Sequence, residues 1–353
     1  MPQEKFPEEQ KVLNIGWVGL GPFSFYGGYI TTINNIFRDY NFLNMRVTHI
    51  WGDDYRKNYA GSPEYVKKMV DDWKNGPRSA RARAKECGIP NICNDYHDMA
   101  DEVDAAMIMD FDRAYDLAEP FLKQGKPIFL CSPVAVNVPE CERILDRAER
   151  YGAAVYSGSF TVDMHENQVR YARVKRDQIA AFFASTSHAF FTSYANDGLE
   201  PVYRLIGSGV RTVALHGWNG SRGYDPTGIP VSRIHLEYEP RGDYPSIQGV
   251  LTLGGFKKEM EWFRIYYHDH TVLKGVTNWS GRREMVHRDF LVSLQEVFVT
   301  NKSLETREDI LNKLKVLIAA YKSANEDNRP VRLDEVGDYR LPTVRIEKWD
   351  EIP

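Results

Sequence analysis

The chain has few of the residues that would staple it covalently and none of the runs that would seat it in a membrane. It holds four cysteines in 353 residues. These are Cys87, Cys93, Cys131 and Cys141, and no two form a Cys-x-x-Cys pair, which argues against a zinc ribbon and against a disulfide framework. No apolar run approaches the ~18 residues of a membrane span. Met1 to Gln10 is charged and proline-bearing, without the apolar core of a secretory signal. A cytoplasmic location is therefore expected, with the Asn-x-Ser sequons at Asn219, Asn278 and Asn301 left unglycosylated. Strong charge is also missing. A formal net charge of −4 gives no reason to expect nucleic acid as a partner. The basic cluster Arg78, Arg81, Arg83 and Lys85, interleaved with alanines, reads as a solvated helix face. His268-Asp269-His270 offers two imidazoles without an evident third ligand and reads as a turn between strands, so no metal is expected. Internal repeats and low-complexity segments are absent.

What is present is a β-α rhythm long enough for two domains. Val12–Val18 reads as a buried strand, followed by a glycine turn and an apolar-periodic helix to Phe37. Further strands are expected at Arg46–Trp51, Ile92–Cys93, Ala105–Met109, Pro127–Leu130 and Ala153–Ser157. Helices are expected at Ala114–Lys123 and Pro139–Tyr151, with an extra one between Tyr55 and Cys87. Six strands in this rhythm predict a doubly wound parallel sheet over 1–157. The remainder, 158–353, changes character. Helices are expected at Glu166–Lys175, Leu199–Ile206, Phe290–Phe298 and Arg307–Tyr321, the last opened by Thr306 with Asp309 in capping-box spacing. Strands are expected at Val210–Leu215, Val231–Tyr238, Ser246–Leu253 and Glu261–Tyr267. Period-2 alternation in Arg233–Tyr238 predicts an open, largely antiparallel sheet with one covered face. The fold class is thus α/β, a Rossmann sheet followed by an α+β domain, 158–353, that would hold a small polar substrate. Its C-terminal tail is free to pack back on the first half.

The first strand runs into Gly19-Leu20-Gly21-Pro22-Phe23-Ser24. A dinucleotide fingerprint needs glycine for the tight turn, glycine where backbone meets pyrophosphate, and a small residue where helix meets strand. Gly19, Gly21 and Ser24 stand at those positions, and the following helix would aim its free N–H groups at the phosphates. Asp53 and Asp54 close the second strand and are candidates for the ribose hydroxyls, which favours NAD. Arg56 and Lys57 keep NADP open. The cofactor contacts expected from this region are Gly19, Gly21, Pro22, Phe23, Ser24, Asp53 and Asp54.

These segments resemble the glucose–fructose oxidoreductase, inositol dehydrogenase and rhizopine-catabolism (Gfo/Idh/MocA) family. The resemblance rests on Ile15-Gly16-Trp17-Val18-Gly19-Leu20-Gly21, Val103–Ile108, Gly125–Pro133 and the closing stretch Leu304 to Leu333. It implies NAD or NADP as cofactor and a sugar, inositol or related polyol as substrate. A homodimer or homotetramer through the C-terminal sheet is also implied.

Three positions depart from the family. Cys131-Ser132-Pro133 stands where Glu-Lys-Pro is usual, Asp197 where a proton-passing His is usual, and Asp110-Phe111-Asp112-Arg113-Ala114-Tyr115 replaces a Thr-Pro loop. Asp197, Tyr115 and Asp110 are therefore the candidate acid–base set, with Asp110 and Ser132 also beside the cofactor. Asp197 also has the spacing of a helix cap with Glu200, and Tyr115 that of a packing residue. Asp163, His165 and His188 are candidate substrate contacts. The rival readings are a non-redox binding or regulatory relative, and a lyase or hydrolase that oxidises and re-reduces within one cycle.

Overall fold

The computed structural model describes residues 11–20, 31–32, 34–35, 43–52, 79–158, 173–186, 191–217, 232–240, 245–253, 261–277 and 283–341. Two sheets organise them. The first is all parallel, with strands β1 (Leu13–Val18), β2 (Met45–Trp51), β3 (Asn91–Ile92), β4 (Ala105–Ile108), β5 (Ile128–Leu130) and β6 (Val155–Tyr156) in the order β3-β2-β1-β4-β5-β6. The central strands are continuous apolar runs because both of their faces are covered. Helices α1 (Ala80–Cys87), α2 (Tyr96–Glu102), α3 (Ala114–Lys123) and α4 (Val138–Tyr151) make the crossovers.

Local chemistry sets where these helices start and stop. Ser79 and Asn137 accept from Ala82 and Glu140 N–H groups at 3.2 and 2.8 Å, which satisfies donors a helix start leaves unpaired. Gly88 and Gly152 close α1 and α4 in the left-handed conformation, φ 65° and 68°.

One face of the first sheet packs on α3 and α4 through Leu117, Phe121, Leu122, Ile144 and Leu145. The opposite face is closed by a helix from far along the chain, α6 (Arg283–Thr300; α5 is Phe191–Ile206), whose Phe290, Leu291, Leu294 and Val297 join Ile15, Trp17, Ile50 and Tyr156. Phe290 meets Phe129 edge-on at 5.3 Å.

The second sheet has strands β7 (Ile179–Thr186), β8 (Val210–His216), β9 (Ser232–Tyr238), β10 (Gln248–Leu253), β11 (Glu261–Tyr267), β12 (Val272–Thr277) and β13 (Val331–Arg332), in the order β12-β11-β7-β10-β9-β8-β13. Only β7 and β10 pair in parallel. Ile234, Leu236 and Tyr238 are buried while Arg233 and His235 are exposed, so the alternation read from the sequence holds. The inner face packs on α5 and on α7 (Arg307–Asn325), through Leu199, Val202, Leu314 and Leu317. Thr306 and Asp309 form the expected capping box.

Several expectations need correction. Arg83 is not on a solvated face. It is 9% exposed, lies over the Trp17 ring at 5.7 Å and pairs with Glu86, its aliphatic stem covering apolar surface while its charge keeps a partner. The helix expected from Leu199 begins eight residues earlier, at Phe191. Asp197 is therefore inside α5 and does not cap it. Residues 173–175 of the expected Glu166–Lys175 helix are not helical, and the rest of that stretch lies outside the described residues.

Among the described residues the β6 edge is covered by side chains and not by a seventh strand. Asn301 Oδ1 accepts from Ala154 N at 2.8 Å and its amide donates to Gly152 and Gly125 carbonyls. Ser303 Oγ donates to Val155 O and Glu305 accepts from Ser157 N. Side chains of 301–305 thus occupy the edge groups that would otherwise template another strand. Asn301→Ala is expected to lower unfolding free energy by about 1–3 kcal/mol, since it leaves the N–H of buried Ala154 without its acceptor. Urea denaturation measures it, and an unchanged midpoint would show that water replaces the cover.

Candidate functional site

All strands of the first sheet are parallel, so β1, β2, β4, β5 and β6 end on one edge. In the order 3-2-1-4 the chain reverses direction of travel between β1 and β4, which opens a crevice at their carboxyl ends. Gly19 stands at that point. Its N–H donates to Trp51 O, its carbonyl accepts from Trp17 Nε1 at 2.9 Å, and φ is +90°. A Cβ placed on Gly19 would lie 2.7 Å from the Cβ of Asp110. The turn is therefore glycine for two separate reasons, the sign of φ and the approach of the β4 end.

Asp110 is 3% exposed and its carboxylate faces Arg113 Nη2 at 3.4 Å. The Arg113 guanidinium also lies 5.6 Å over the Trp51 ring at the end of β2. One cation thus reaches from the loop after β4 to the end of β2, across the end of β1. At the end of β5, Cys131 is buried with its N–H on Ile108 O. The Ser132 hydroxyl next to it is buried and meets no hydrogen-bond partner among the described residues. A buried hydroxyl without a partner is costly. With the shaped gap at Gly19, it suits an edge that receives a polar ligand.

Of the sequence-level candidates, the structure brings Gly19, Asp110 and Ser132 to this edge. Tyr115 is not directed at it. Helix α3 runs back from the edge, and the Tyr115 hydroxyl donates to Glu119 at 3.2 Å, one turn farther along. It also accepts from Arg147 Nε at 3.3 Å, while Arg143 covers the ring at 4.5 Å. Those contacts tie Tyr115 between α3 and α4. His268 to His270 forms the turn between β11 and β12, with His270 at φ 66°. Asp197 lies in α5, and its side chain is not described. Gly21, Pro22, Phe23, Ser24, Asp53, Asp54, Asp163, His165 and His188 lie outside the described residues.

Residues 46–159 match the model of the Gfo/Idh/MocA oxidoreductase family, described as having an NAD-binding Rossmann fold. That match spans β2 to β6 of the first sheet. No curated protein matches the sequence. Among solved structures, scyllo-inositol dehydrogenase from Lactobacillus casei, with bound NAD(H) and scyllo-inositol, aligns at 15% identity over 92% of this chain and 100% of its own, TM-score 0.64. Myo-inositol 2-dehydrogenase from Lactobacillus plantarum aligns at 12% identity over 91% and 99%, TM-score 0.64. GenD2 from gentamicin A biosynthesis, in complex with NAD, aligns at 11% over 92% and 97%, TM-score 0.68. At such identities the likeness shows the fold alone, a parallel Rossmann-type sheet followed by a mixed sheet. No described helix is long and apolar enough to cross a membrane.

Sequence reasoning missed two features. The Arg113–Trp51 stack joins residues 62 positions apart, and nothing local announces it. The second is a buried ion cluster around Lys313. A signal for it existed, because Lys313 interrupts the buried stripe Ile310, Leu314, Leu317 of α7.

Gly19→Ala tests the turn. It is expected to cost about 1–3 kcal/mol of stability from the left-handed backbone alone, with more from the clash against Asp110. Thermal melts measure this. A stable variant that still binds dinucleotide would show that the turn has slack the geometry does not suggest.

Proposed function

We propose that this protein is an NAD-dependent oxidoreductase acting on a sugar, an inositol or a related polyol. One observation carries the reading: at the crevice between β1 and β4, Gly19 has room for backbone only, and Asp110 forms the opposite wall. That arrangement suits a pyrophosphate drawn close to main-chain N–H groups. The family description and the NAD-bound neighbours support it. Bound NAD supplies a hydride acceptor. The chain's residues then have to bind the substrate, exclude water and take up the hydroxyl proton.

Gly19 with Gly21 and Ser24 would cradle the phosphates, and Asp53 or Asp54 would take the ribose hydroxyls. Ser132, whose hydroxyl has no partner among the described residues, would hydrogen-bond near the nicotinamide end. Asp110, held by Arg113, would fix the floor of the crevice. Asp197 is the residue we assign as base, because it stands in α5 where the family resemblance puts a proton-passing His. Its carboxylate would accept the alcohol proton as hydride leaves the same carbon. Asp163, His165 and His188 would hold the polyol. Among the described residues nothing covers Phe183 on the second sheet, which is 43% exposed and edge-on to Tyr266 at 6.1 Å. This supports a homodimer or homotetramer formed across that face.

A second reading is favoured by one observation. Among the described residues at the carboxyl edge there is no lysine, and Ser132 occupies the position where the family usually has one. A binding or regulatory relative without turnover would look the same there. Titration calorimetry with NAD and NADP comes first. Absence of heat with both, and of thermal stabilisation, would sink the cofactor assignment. Incubation with NAD and a panel of inositols, sugars and sugar acids follows, with product analysis to catch a lyase or hydrolase that regenerates its cofactor. Asp197→Asn is expected to lower kcat by about 10²–10⁴-fold with NAD affinity unchanged. Oxidation appearing only in the Ser132→Lys, Asp197→His double variant would favour the non-redox reading.

A further inference from the structure

Lys313 in α7 is buried, and its Nζ donates to Glu200 of α5 and to Glu305 in the segment before α7. The three side chains are at most 4% exposed. The other oxygen of Glu305 accepts from Ser157 N and Ser157 Oγ, at 3.0 and 3.1 Å, where β6 ends on the carboxyl edge of the first sheet. An unbroken polar route therefore runs from that edge, through Glu305 and Lys313, into the helix that carries Asp197 three residues before Glu200.

Desolvating three charges is a poor way to gain stability, since well-packed apolar residues of similar volume often do as well or better. What apolar packing lacks is direction. An ammonium held between two carboxylates fixes both the distance and the rotation of the elements it joins, and buried ionic groups are best attested as devices that set register. We propose that Glu200, Lys313 and Glu305 form a positioning strut that sets where α5, and Asp197 with it, stands against the carboxyl edge of the cofactor sheet. The inference rests on the reading of Asp197 as the base, and deepens it.

The strut also lines a cavity of about 440 Å³ whose other charged walls are Arg176 and Asp177 before β7, Arg204 on α5 and Asp309 on α7. Tyr203 of α5 completes the wall around Glu200. Burial pushes the Glu200 carboxyl up to about 7, against the pull of Lys313, while Glu305 is held below its usual range by Lys313 and Ser157. Because the Glu200 value in the fold lies above the unfolded one, the fold takes up a proton between the two. Its cost appears as pH rises through neutrality. The strut thus contains a carboxyl whose protonation responds to pH, and the cavity borders it.

Amide hydrogen exchange on the full chain, read by mass spectrometry, tests this without knowing the substrate. Lys313→Met is expected to speed exchange across Phe191–Ile206 by about tenfold or more, with β1 and β4 amides and the calorimetric NAD affinity unchanged. Lys313→Arg should restore most of the protection. In the wild type, α5 exchange corrected for its intrinsic rate should change between about pH 6 and about pH 8, and Glu200→Gln should flatten that step. Glu200→Gln keeps the shape of the side chain, so it carries the test if Lys313→Met does not fold. Exchange that rises uniformly over the chain, or a pH step that survives in Glu200→Gln, would overturn the strut. Where turnover is measurable, kcat should fall in Lys313→Met with KM for NAD constant. Full turnover in Asp197→Asn would remove the base assignment while leaving the exchange result standing. An inactive Asp197→Asn with unaltered α5 exchange in Lys313→Met would remove the strut alone.

Discussion

The carboxyl edge of the first sheet depends on one close approach, the backbone of Gly19 against Asp110. β1 and β4 are adjacent parallel strands, and the chain leaves them in opposite directions across the sheet. Their ends must separate to form a crevice, yet Met109 N–H still reaches Val18 O at 2.8 Å. Only a residue without a side chain fits between the two requirements. The aromatic and charged groups around it, Trp17, Trp51 and Arg113, pack onto that turn. A substitution at Gly19 would therefore propagate to the ends of β2 and β4 as well.

Closure of the molecule comes from the end of the chain. α6 fills the second face of the parallel sheet, residues 301–305 cover the β6 edge, and α7 packs beneath β8, where Leu215 N–H donates to Ser323 Oγ at 3.0 Å. Leu341 N–H then donates to Val136 O in the loop after β5. The second half thus supplies structural parts to the first. Truncation after β12 would remove α6 and expose an apolar face of the first sheet, not merely remove a tail.

At the carboxyl edge the described polar groups are the Ser132 hydroxyl and the Asp110–Arg113 pair. Lys313 is buried between the carboxylates of Glu200 and Glu305, and Glu305 in turn accepts from Ser157 at the end of β6. Charge buried in this part of the molecule is therefore paired locally, as removal of ions from water requires.

How much of this was legible follows from the range of each signal. Period-2 and apolar-run patterns, glycine turns and capping residues act over a few positions, and they placed the six parallel strands, α3, α4, the Thr306 capping box and the Gly19 turn. The start of α5 was misplaced because Asp197, Gly198 and Glu200 together imitate a helix start, and packing against β7 and α7 overrides that local preference. Arg83 looked solvated because one sequence does not show Trp17 waiting 66 positions away. The same limit hid the Tyr115 contacts and the Glu200–Lys313–Glu305 cluster. Sequence alone determined the α/β class, the parallel order of the first half and the phosphate-turn candidate, since each is written in neighbouring residues. Tertiary structure alone decided that Tyr115 faces α4, that α6 completes the first core and that Lys313 ties α5 to β6. Those facts are contacts between residues tens to hundreds of positions apart, which only the folded chain brings together.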